Sequence, residues 1–482
     1  MRRLVMLIGA ALLAGCAAGP DYHRPDLRTP DRYRFAQDSP AGASLGDVQW
    51  WELYQDPRLQ ELIRTALADN LDVRVAAARV EQARAALGAS GMALLPQVSA
   101  QAGGQRGQTA LDLRRPGQPA MSNQFQAQGA LSWEVDLWGR LRRTREAARA
   151  DFLASEYAKR AVLVGLVSDV ATTYFDLITL HQELDITHRT VETRKKLVEL
   201  TRAKHDRGVV SGLDVAAAEA QLAVARVSIP QQELALAQAE HRLGLLLGQY
   251  PRDFDLPAAA QAPRVAPTPP AGLPSQLLER RPDIMESEQA LVAANARFGA
   301  ARASLFPALS LTGAFGRMST ELSRLFSSPN AAWMASAGVL QPLLDPQRSL
   351  YATRAARARR TEALASYEQT VQRALGEVAD ALIARSKQVE IEVVQREQVE
   401  ALRRASLIAH ARYEAGTASY VDVTNADRDL FTAELTLATA SRDTLLSAVQ
   451  LYRALGGGWQ QSAGPVQPPS SAPAPPPAPP QS

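Results

Sequence analysis

Hydrophobic and polar residues alternate along four short stretches of the chain, and this two-residue period predicts four β-strands. After Pro96, Val98 and Ala102 share one side of the chain while Gln97 and Gln101 share the other. The predicted strands cover about 96–106, 124–136, 307–317 and 331–341. Strands of about ten residues are long enough to cross a bilayer at the tilt they adopt in a barrel.

The stretches that follow each strand pair carry few residues that end helices. From Leu141 to Arg207 there is no proline and one glycine, and from Gln347 to Leu455 there is no proline and two glycines. We therefore expect long helices within about 140–248 and 347–456. A helix of about 40 residues would be about 60 Å long, which is typical of a coiled coil or a barrel stave. A shorter helix is expected before each strand pair, over 56–88 and 281–305.

The order of these elements repeats because the sequence itself repeats. LGASGMALLPQVSAQAGG at 87–104 is similar to FGAARASLFPALSLTGAF at 298–315, and the segment 203–222 is similar to 411–430. The proline of the first pair recurs after 211 residues and the glycine of the second after 208 residues. Two similarities in the same order, at nearly equal spacing, predict duplication of a unit of about 200 residues.

In both copies the long helical stretch is interrupted at an aligned glycine, Gly208 and Gly416. A glycine suits the left-handed conformation that ends many helices. An S-x-x-D pattern follows, which satisfies the first free amides of a new helix. The pattern consists of Ser211 and Asp214 in the first copy and of Ser419 and Asp422 in the second. Each copy is therefore predicted to end in a helical hairpin.

The chain begins MRRLVMLIGAALLAGC, which has the layout of a secretory signal with an apolar stretch too short to span a bilayer. Cys16 is the sole cysteine, so it has no partner for a disulfide within the chain. The residues 13–16, Leu-Ala-Gly-Cys, look like a bacterial lipobox, which predicts a lipidated Cys16 at the mature N-terminus. The alternative is cleavage at an ordinary small-residue site, with an incidental thiol. No later run of about 18 apolar residues occurs, so no transmembrane helix is expected.

Composition, charge and the absence of known catalytic motifs argue against several classes of function. The chain is 46% hydrophobic but only 6% aromatic, and its many alanines favour helices. A net charge of +3 with interspersed signs argues against a nucleic-acid binder. The six histidines are scattered, and no nucleotide-binding loop, zinc-protease helix or hydrolase elbow is present. The expectation is a protein that is not an enzyme, without catalytic residues, cofactor or metal.

Four strands in one chain leave two open sheet edges, which lipid does not tolerate. Eight strands from two chains would enclose an interior that side chains fill, whereas three or more chains leave a lumen. Strand number therefore predicts a barrel of twelve or more strands. The alternative is a pair of surface hairpins on a soluble helical protein, which alternation by itself does not exclude.

Several motifs together resemble the outer-membrane efflux protein family of TolC, most closely its lipoprotein branch that includes NodT and OprM. They are the lipobox, GPDYHRPD (19–26), WWELYQDPRLQELIRTALADN (50–70), WEVDLWGRLRR (133–143), LPSQLLERRPDI (273–284) and YRALGGGW (452–459). The resemblance implies an α+β membrane protein, a homotrimer whose twelve-stranded β-barrel in the outer membrane continues into a long periplasmic α-helical barrel. It also implies a periplasmic adaptor and an inner-membrane pump as partners, a lipid anchor, and export of drugs or other toxic small molecules.

On this interpretation the chain divides into six parts. They are a signal peptide (1–15), a lipid-anchored extended segment (16–56), the first repeat (57–249), a Pro-rich linker (250–274), the second repeat (275–458) and a disordered Pro-rich tail (459–482).

The resemblance further implies a gate at the periplasmic tips of the helical hairpins. Carried onto this sequence, the gate residues are Tyr413, Val421, Asn425 and Arg428, with Asp206, Arg207 and Asp214 as candidates at the equivalent turn. Asn425 stands where relatives often carry an acidic residue expected to pair with an arginine such as Arg428. A neutral partner makes a weaker hydrogen bond, so a leakier resting gate is expected.

Two other functions fit parts of the sequence. A duct of the same fold can serve a type I protein secretion system. A soluble periplasmic coiled-coil adaptor would carry a lipoyl-like β module between its helices, and none is recognisable here.

Overall fold

The structure is a computed structural model that describes residues 18–27, 29–35, 49–110, 112, 114–117, 119–250, 252, 254, 274–341 and 346–457. The predicted signal peptide, Cys16, most of the Pro-rich linker and the Pro-rich tail lie outside the described residues.

The described residues form nine α-helices and four β-strands. The helices are α1 Trp50–Leu53, α2 Pro57–Asp69, α3 Leu71–Met92, α4 Arg140–Asp206, α5 Gly212–Leu246, α6 Pro274–Arg280, α7 Pro282–Ala303, α8 Pro346–Glu414 and α9 Tyr420–Ala454. The strands are β1 Gln97–Gln108, β2 Met121–Val135, β3 Ala308–Ser319 and β4 Ala331–Leu340. At 67 and 69 residues, α4 and α8 are each about 100 Å long.

The four strands make one antiparallel sheet in the order β1-β2-β3-β4. The register brings the alternating patterns of all four strands onto common faces, since Val98 lies opposite Leu131, and Leu131 opposite Gly313. One face, the apolar face, carries in particular Val98, Ala100, Phe125, Leu131, Trp133, Leu309, Leu311, Phe315, Trp333, Ala335, Ala337 and Val339. The opposite, polar face carries glutamine, serine and threonine, including a hydrogen bond of 2.7 Å between the hydroxyls of Thr312 and Ser336.

The single helix predicted over 56–88 is wrong, because Asn70 separates α2 from α3. Asn70 has an extended ψ of 133°. Its side-chain oxygen accepts from the backbone N–H of Asp72 at 2.8 Å and of Val73 at 3.2 Å, while its amide nitrogen donates to the carbonyl of Leu246 at 3.0 Å. The break therefore ties the start of α3 to the end of α5.

The second copy has the corresponding break between α6 and α7. There the Arg281 guanidinium donates to the carbonyl of Ala454 at 3.2 Å and to Glu377 at 2.6 Å. In both copies a glycine just after the last helix lies against this break. A Cβ at Gly248 would be 2.3 Å from the carbonyl oxygen of Asp69, and one at Gly456 would be 3.1 Å from that of Arg280.

Contacts divide the chain into two compact units. The first comprises the described parts of Met1–Arg28, Ala77–Ala158 and Asp283–Thr370, and so holds the sheet and the helix segments next to it. The second comprises the described parts of Thr29–Ala76, Lys159–Pro282 and Val371–Ser482, with both helical hairpins.

Within the described residues, α4 is one helix that is long and apolar enough to span a membrane by length and composition. Its apolar window is 56% buried inside the structure. Such burial is typical of a helix that packs against other helices through this stretch.

Candidate functional site

The turns of the two helical hairpins have the geometry that the S-x-x-D pattern predicts. Gly208 and Gly416 adopt left-handed φ angles of 71° and 74°. In each turn the serine hydroxyl accepts from the aspartate N–H at 3.3 Å, and the aspartate carboxylate accepts from the serine N–H at 3.0 Å in the first copy and 2.9 Å in the second. These reciprocal bonds form at Ser211 with Asp214 and at Ser419 with Asp422.

Tyr413 is only 3% exposed and belongs to an apolar cluster just behind the second turn. Its ring packs edge to face on Tyr420 with centroids 6.2 Å apart. The ammonium of Lys204 lies 3.9 Å from the centre of the Tyr413 ring and donates to its backbone carbonyl. Thr201 lies 3.4 Å from the phenol oxygen. Tyr413 thus joins the end of α4 to the second hairpin inside one chain.

Val421, Asn425 and Arg428 are exposed on α9. Their spacing of four and then three residues places them on one face of the helix. In the single chain the Arg428 guanidinium pairs with the neighbouring Asp429, at 3.0–3.1 Å from its carboxylate. This face is exposed in the single chain.

At the first turn, Asp206 and Arg207 are exposed at the end of α4. Asp214 is half-buried, and its carboxylate is occupied by the capping bonds to Ser211. Through these bonds Asp214 caps the start of α5 at the turn.

The site predicted from the sequence omits a partly buried polar cluster near the second turn. The imidazole Nε2 of His410 on α8 lies 2.8 Å from the Asp427 carboxylate on α9, and the Ser406 hydroxyl donates to the same carboxylate at 2.6 Å. The hydrogen bond to Asp427 raises the pKa of His410 above its ordinary value, although partial burial opposes this. The cluster bridges the two helices of the hairpin.

Arg194 on α4 is buried next to this cluster. Burial lowers the pKa of its guanidinium, while the nearby Asp427 carboxylate acts in the opposite direction. Its Nη1 donates to the carbonyl of Gln221 at 2.6 Å, and its guanidinium lies 5.3 Å from the centre of the Phe431 ring. Arg194 thereby connects the first hairpin to the second.

The position of this cluster can be inferred from the sequence repeat. With the offset of 208 residues, His410 and Asp427 correspond to Arg202 and Glu219, which form an exposed ion pair in the first hairpin. Each hairpin therefore has a cationic or titratable residue bridged to an acid 17 residues later. Aligning acid and base positions between the copies would have identified it.

A second feature that the predicted site lacks is a strap formed by residues 18–24. The Ala18 N–H donates to the carbonyl of Trp138 at 2.9 Å, next to the joint of β2 and α4. Arg143 on α4 is 5% exposed, and its guanidinium donates to Asp21 at 2.6 Å. Asn295 on α7 is 1% exposed and donates to the carbonyl of Pro20 at 3.0 Å.

The strap continues along α7 through charged contacts. Glu288 accepts from the Tyr22 hydroxyl at 3.1 Å and from the Arg24 guanidinium at 2.5 Å. Gly19 and Gly299 meet so closely that a Cβ on Gly19 would lie 2.6 Å from the Cα of Gly299. The strap therefore connects the strand-to-helix region of the first copy to a helix of the second.

The motif WEVDLWGRLRR shapes the joint itself. The Asp136 carboxylate accepts from the N–H groups of Leu141 and Arg142 at 3.0 and 2.9 Å, which caps the start of α4. The Trp133 and Trp138 indoles donate to backbone carbonyls at 3.0 and 2.9 Å. Both tryptophans thus fix the joint.

In the part of the chain that the structure describes, no group of three or more histidine, cysteine or acidic residues could hold a metal ion.

Comparison with known proteins gives consistent matches along the chain. The model of the outer membrane efflux protein family matches residues 62–249 and 273–457. The toluene efflux pump outer membrane protein TtgC of Pseudomonas putida is 34% identical over 467 residues, with 96% of each chain covered. The cation efflux system protein CusC of Escherichia coli is 33% identical over 461 residues, covering 95% of this chain and 99% of its own.

Solved structures of channels also match. The outer-membrane channel OprN superposes with a TM-score of 0.83 at 33% identity, covering 92% of this chain and all of its own. The open state of the Neisseria gonorrhoeae MtrE outer membrane channel gives a TM-score of 0.82 at 30% identity, covering 92% and 98%.

Proposed function

Because the chain belongs to the outer membrane efflux protein family, we propose that three copies of it form an exit duct in the bacterial outer membrane. Each copy contributes four strands to a twelve-stranded barrel and two helical hairpins to a periplasmic tunnel. Cargo passes through this tunnel without chemical change.

The observation that carries the proposal is the two-faced sheet with open edges. Among the described residues, β1 and β4 pair on one side only. The apolar face suits lipid and the polar face suits a water-filled lumen, as in transmembrane barrels. Open edges in lipid require strands from neighbouring chains, and closing three sheets edge to edge satisfies them.

We propose drugs or other toxic small molecules as cargo, supplied by an inner-membrane pump through a periplasmic adaptor. The matching relatives are named for toluene and cation efflux, which supports small toxic compounds as a class. A lipid on Cys16 would add a membrane anchor at the N-terminus.

For the gate, we propose that the exposed face of α9 with Val421, Asn425 and Arg428 meets the neighbouring chain at the tunnel tip. Tyr413 supports this face from behind through its buried contacts with Lys204 and Tyr420. Asp206, Arg207 and Asp214 complete the ring of tips from the first hairpin.

Two neighbouring substitutions test the barrel. Ala335→Arg puts a charge on the apolar face, where it costs about 2–4 kcal/mol at the membrane midplane. Ser336→Arg places the same charge on the polar face, where water solvates it. We expect Ala335→Arg to abolish most trimer assembly in outer-membrane fractions and Ser336→Arg to leave it intact, measured by native gel electrophoresis. Equal assembly of both variants would contradict a sheet with one face in lipid.

A further inference from the structure

The apolar face changes character toward the hairpin loops, which lie at the strand ends opposite the helix joints. Phe315 lies opposite Trp333, and Arg317 follows on the same face opposite Ala331. Arg106 on β1 also lies on this face, near the outer end of its strand. An aromatic pair followed by arginines is therefore present on the side proposed to face lipid.

The loop between β3 and β4 folds back beside these residues. The Arg317 guanidinium donates to the carbonyl of Ser327 at 2.5 Å, which holds the loop against the strand. Within the loop, Leu325 is buried, whereas the adjacent Phe326 is 73% exposed. Phe326 lines an open cavity of about 540 Å³ together with Phe315, Arg317 and several alanines of the sheet.

Positive side chains outnumber negative ones at this end of the sheet. The two loops and the adjoining strand ends contain five arginines and two acidic residues. None of the strand residues on the apolar face is acidic. Arg324 pairs with Glu321 at 3.1 Å, whereas Arg106 has no ion-pair partner among the described residues. Arginines next to an apolar surface offer a fitting site for an anion that is itself attached to hydrocarbon.

We infer that this outer end of the apolar face binds the phosphorylated headgroup of an outer-leaflet lipid. The inference rests on the proposed orientation of the barrel in the outer membrane. Arg106 and Arg317 would bind phosphate oxygens, for which the guanidinium geometry is well suited. The acyl chains would lie against Phe315, Trp333 and Phe326, as aromatic residues do at membrane interfaces.

The test uses the full chain in detergent with diphosphoryl lipid A as the probe, and bound lipid is counted by native mass spectrometry. An arginine near a charged membrane surface contributes about fivefold to binding. We expect Arg106→Gln to weaken retention about fivefold and the double variant Arg106→Gln, Arg317→Gln about 25-fold, if the two contributions are independent. The control Arg226→Gln removes an exposed arginine of α5 and leaves retention unchanged.

Removal of the phosphates from lipid A should lower its binding to the wild type to the level of the double variant. Unchanged binding of the dephosphorylated lipid, or of lipid A to Arg106→Gln, would overturn the inference. Arg106→Gln is informative even if loss of the Arg317 bond disturbs the loop. Conductance in phosphatidylcholine bilayers tests the duct separately, so a conducting channel that does not retain lipid A would refute this inference alone.

Discussion

At the scale of single residues, the contact between His410 and Asp427 joins two helices close to the second turn. The two residues are 17 positions apart across a turn, so helical spacing within one helix does not reveal them. The exposed gate candidates are different, because Val421, Asn425 and Arg428 lie on one helix and their shared face follows from spacing. The family resemblance therefore named the exposed residues. The partly buried cluster behind them becomes visible in the sequence only when acid and base positions are aligned between the two copies.

The His410 contact predicts a pH dependence of the second hairpin. Its pKa is raised in the folded chain by the bond to Asp427, so its stabilising contribution is fully present below the ordinary histidine value of about 6.5. That contribution is lost as pH rises through the folded pKa. We expect amide hydrogen exchange in residues 405–430 to show more opening at about pH 8.5 than at about pH 6, after correction for intrinsic exchange rates.

His410→Gln should remove this pH dependence, while His188→Gln, at an exposed position of α4, should leave it unchanged. Persistence of the full dependence in His410→Gln would assign it to another group.

The gate proposal predicts that Arg428→Ala raises the resting conductance severalfold in planar bilayers, because an interchain contact at the tip is lost. Arg428 pairs with Asp429 in its own helix, so its removal leaves the hairpin fold largely intact. Arg404→Ala, at an exposed position of α8, serves as the control. If Arg428→Ala conducts no more than the wild type, Arg428 is not a gate residue.

At the scale of elements, local chemistry accounts for what the sequence predicted. The turns depend on Gly208, Gly416 and capping residues within three positions, and the structure has these bonds. The break at Asn70 depends on the carbonyl of Leu246, 176 residues away, so local patterns predicted one continuous helix. Errors in the elements thus arise where distant parts of the chain decide the backbone.

Three glycine-to-alanine substitutions separate two effects on stability, the left-handed φ angle and the steric clash of an added Cβ. Gly248→Ala combines a left-handed φ of 69° with a Cβ 2.3 Å from the Asp69 oxygen, so we expect a loss of about 2–5 kcal/mol. Gly416→Ala has the φ penalty without a clash, giving about 1–2 kcal/mol. Gly88→Ala, inside α3 with open space, should stabilise by about 0.5–1 kcal/mol. Thermal unfolding in detergent measures all three, and any other ranking would contradict this account.

At the scale of the whole molecule, the duplicated order of strands and helices and the family were predictable, because periodicity and motifs extend along the chain. The match to the outer membrane efflux protein family confirms the resemblance inferred from those motifs. The strap was not predictable, because GPDYHRPD has no periodic pattern and its partners Arg143, Glu288 and Asn295 are more than 120 residues away.

The strap predicts a measurable protection from protease. Arg143→Met removes the bonds to Asp21 and Gly19, and a lost charged hydrogen bond costs about 1.5–3 kcal/mol. We expect chymotrypsin to cleave after Tyr22, within the strap, about tenfold faster or more in this variant. Arg79→Met, at an exposed position of α3 in the same unit, should cleave at the wild-type rate. Equal rates in all three proteins would mean that the strap is held by other contacts.

The unequal bridges of the two hairpins have a consequence for symmetry. In a trimer the tunnel would end in six tips, three with the arginine and glutamate bridge and three with the histidine and aspartate bridge. Neutralising the histidine weakens every second tip and leaves those between unchanged, because arginine keeps its charge throughout the physiological range. A ring that is nearly sixfold in its backbone would then respond to pH with threefold symmetry.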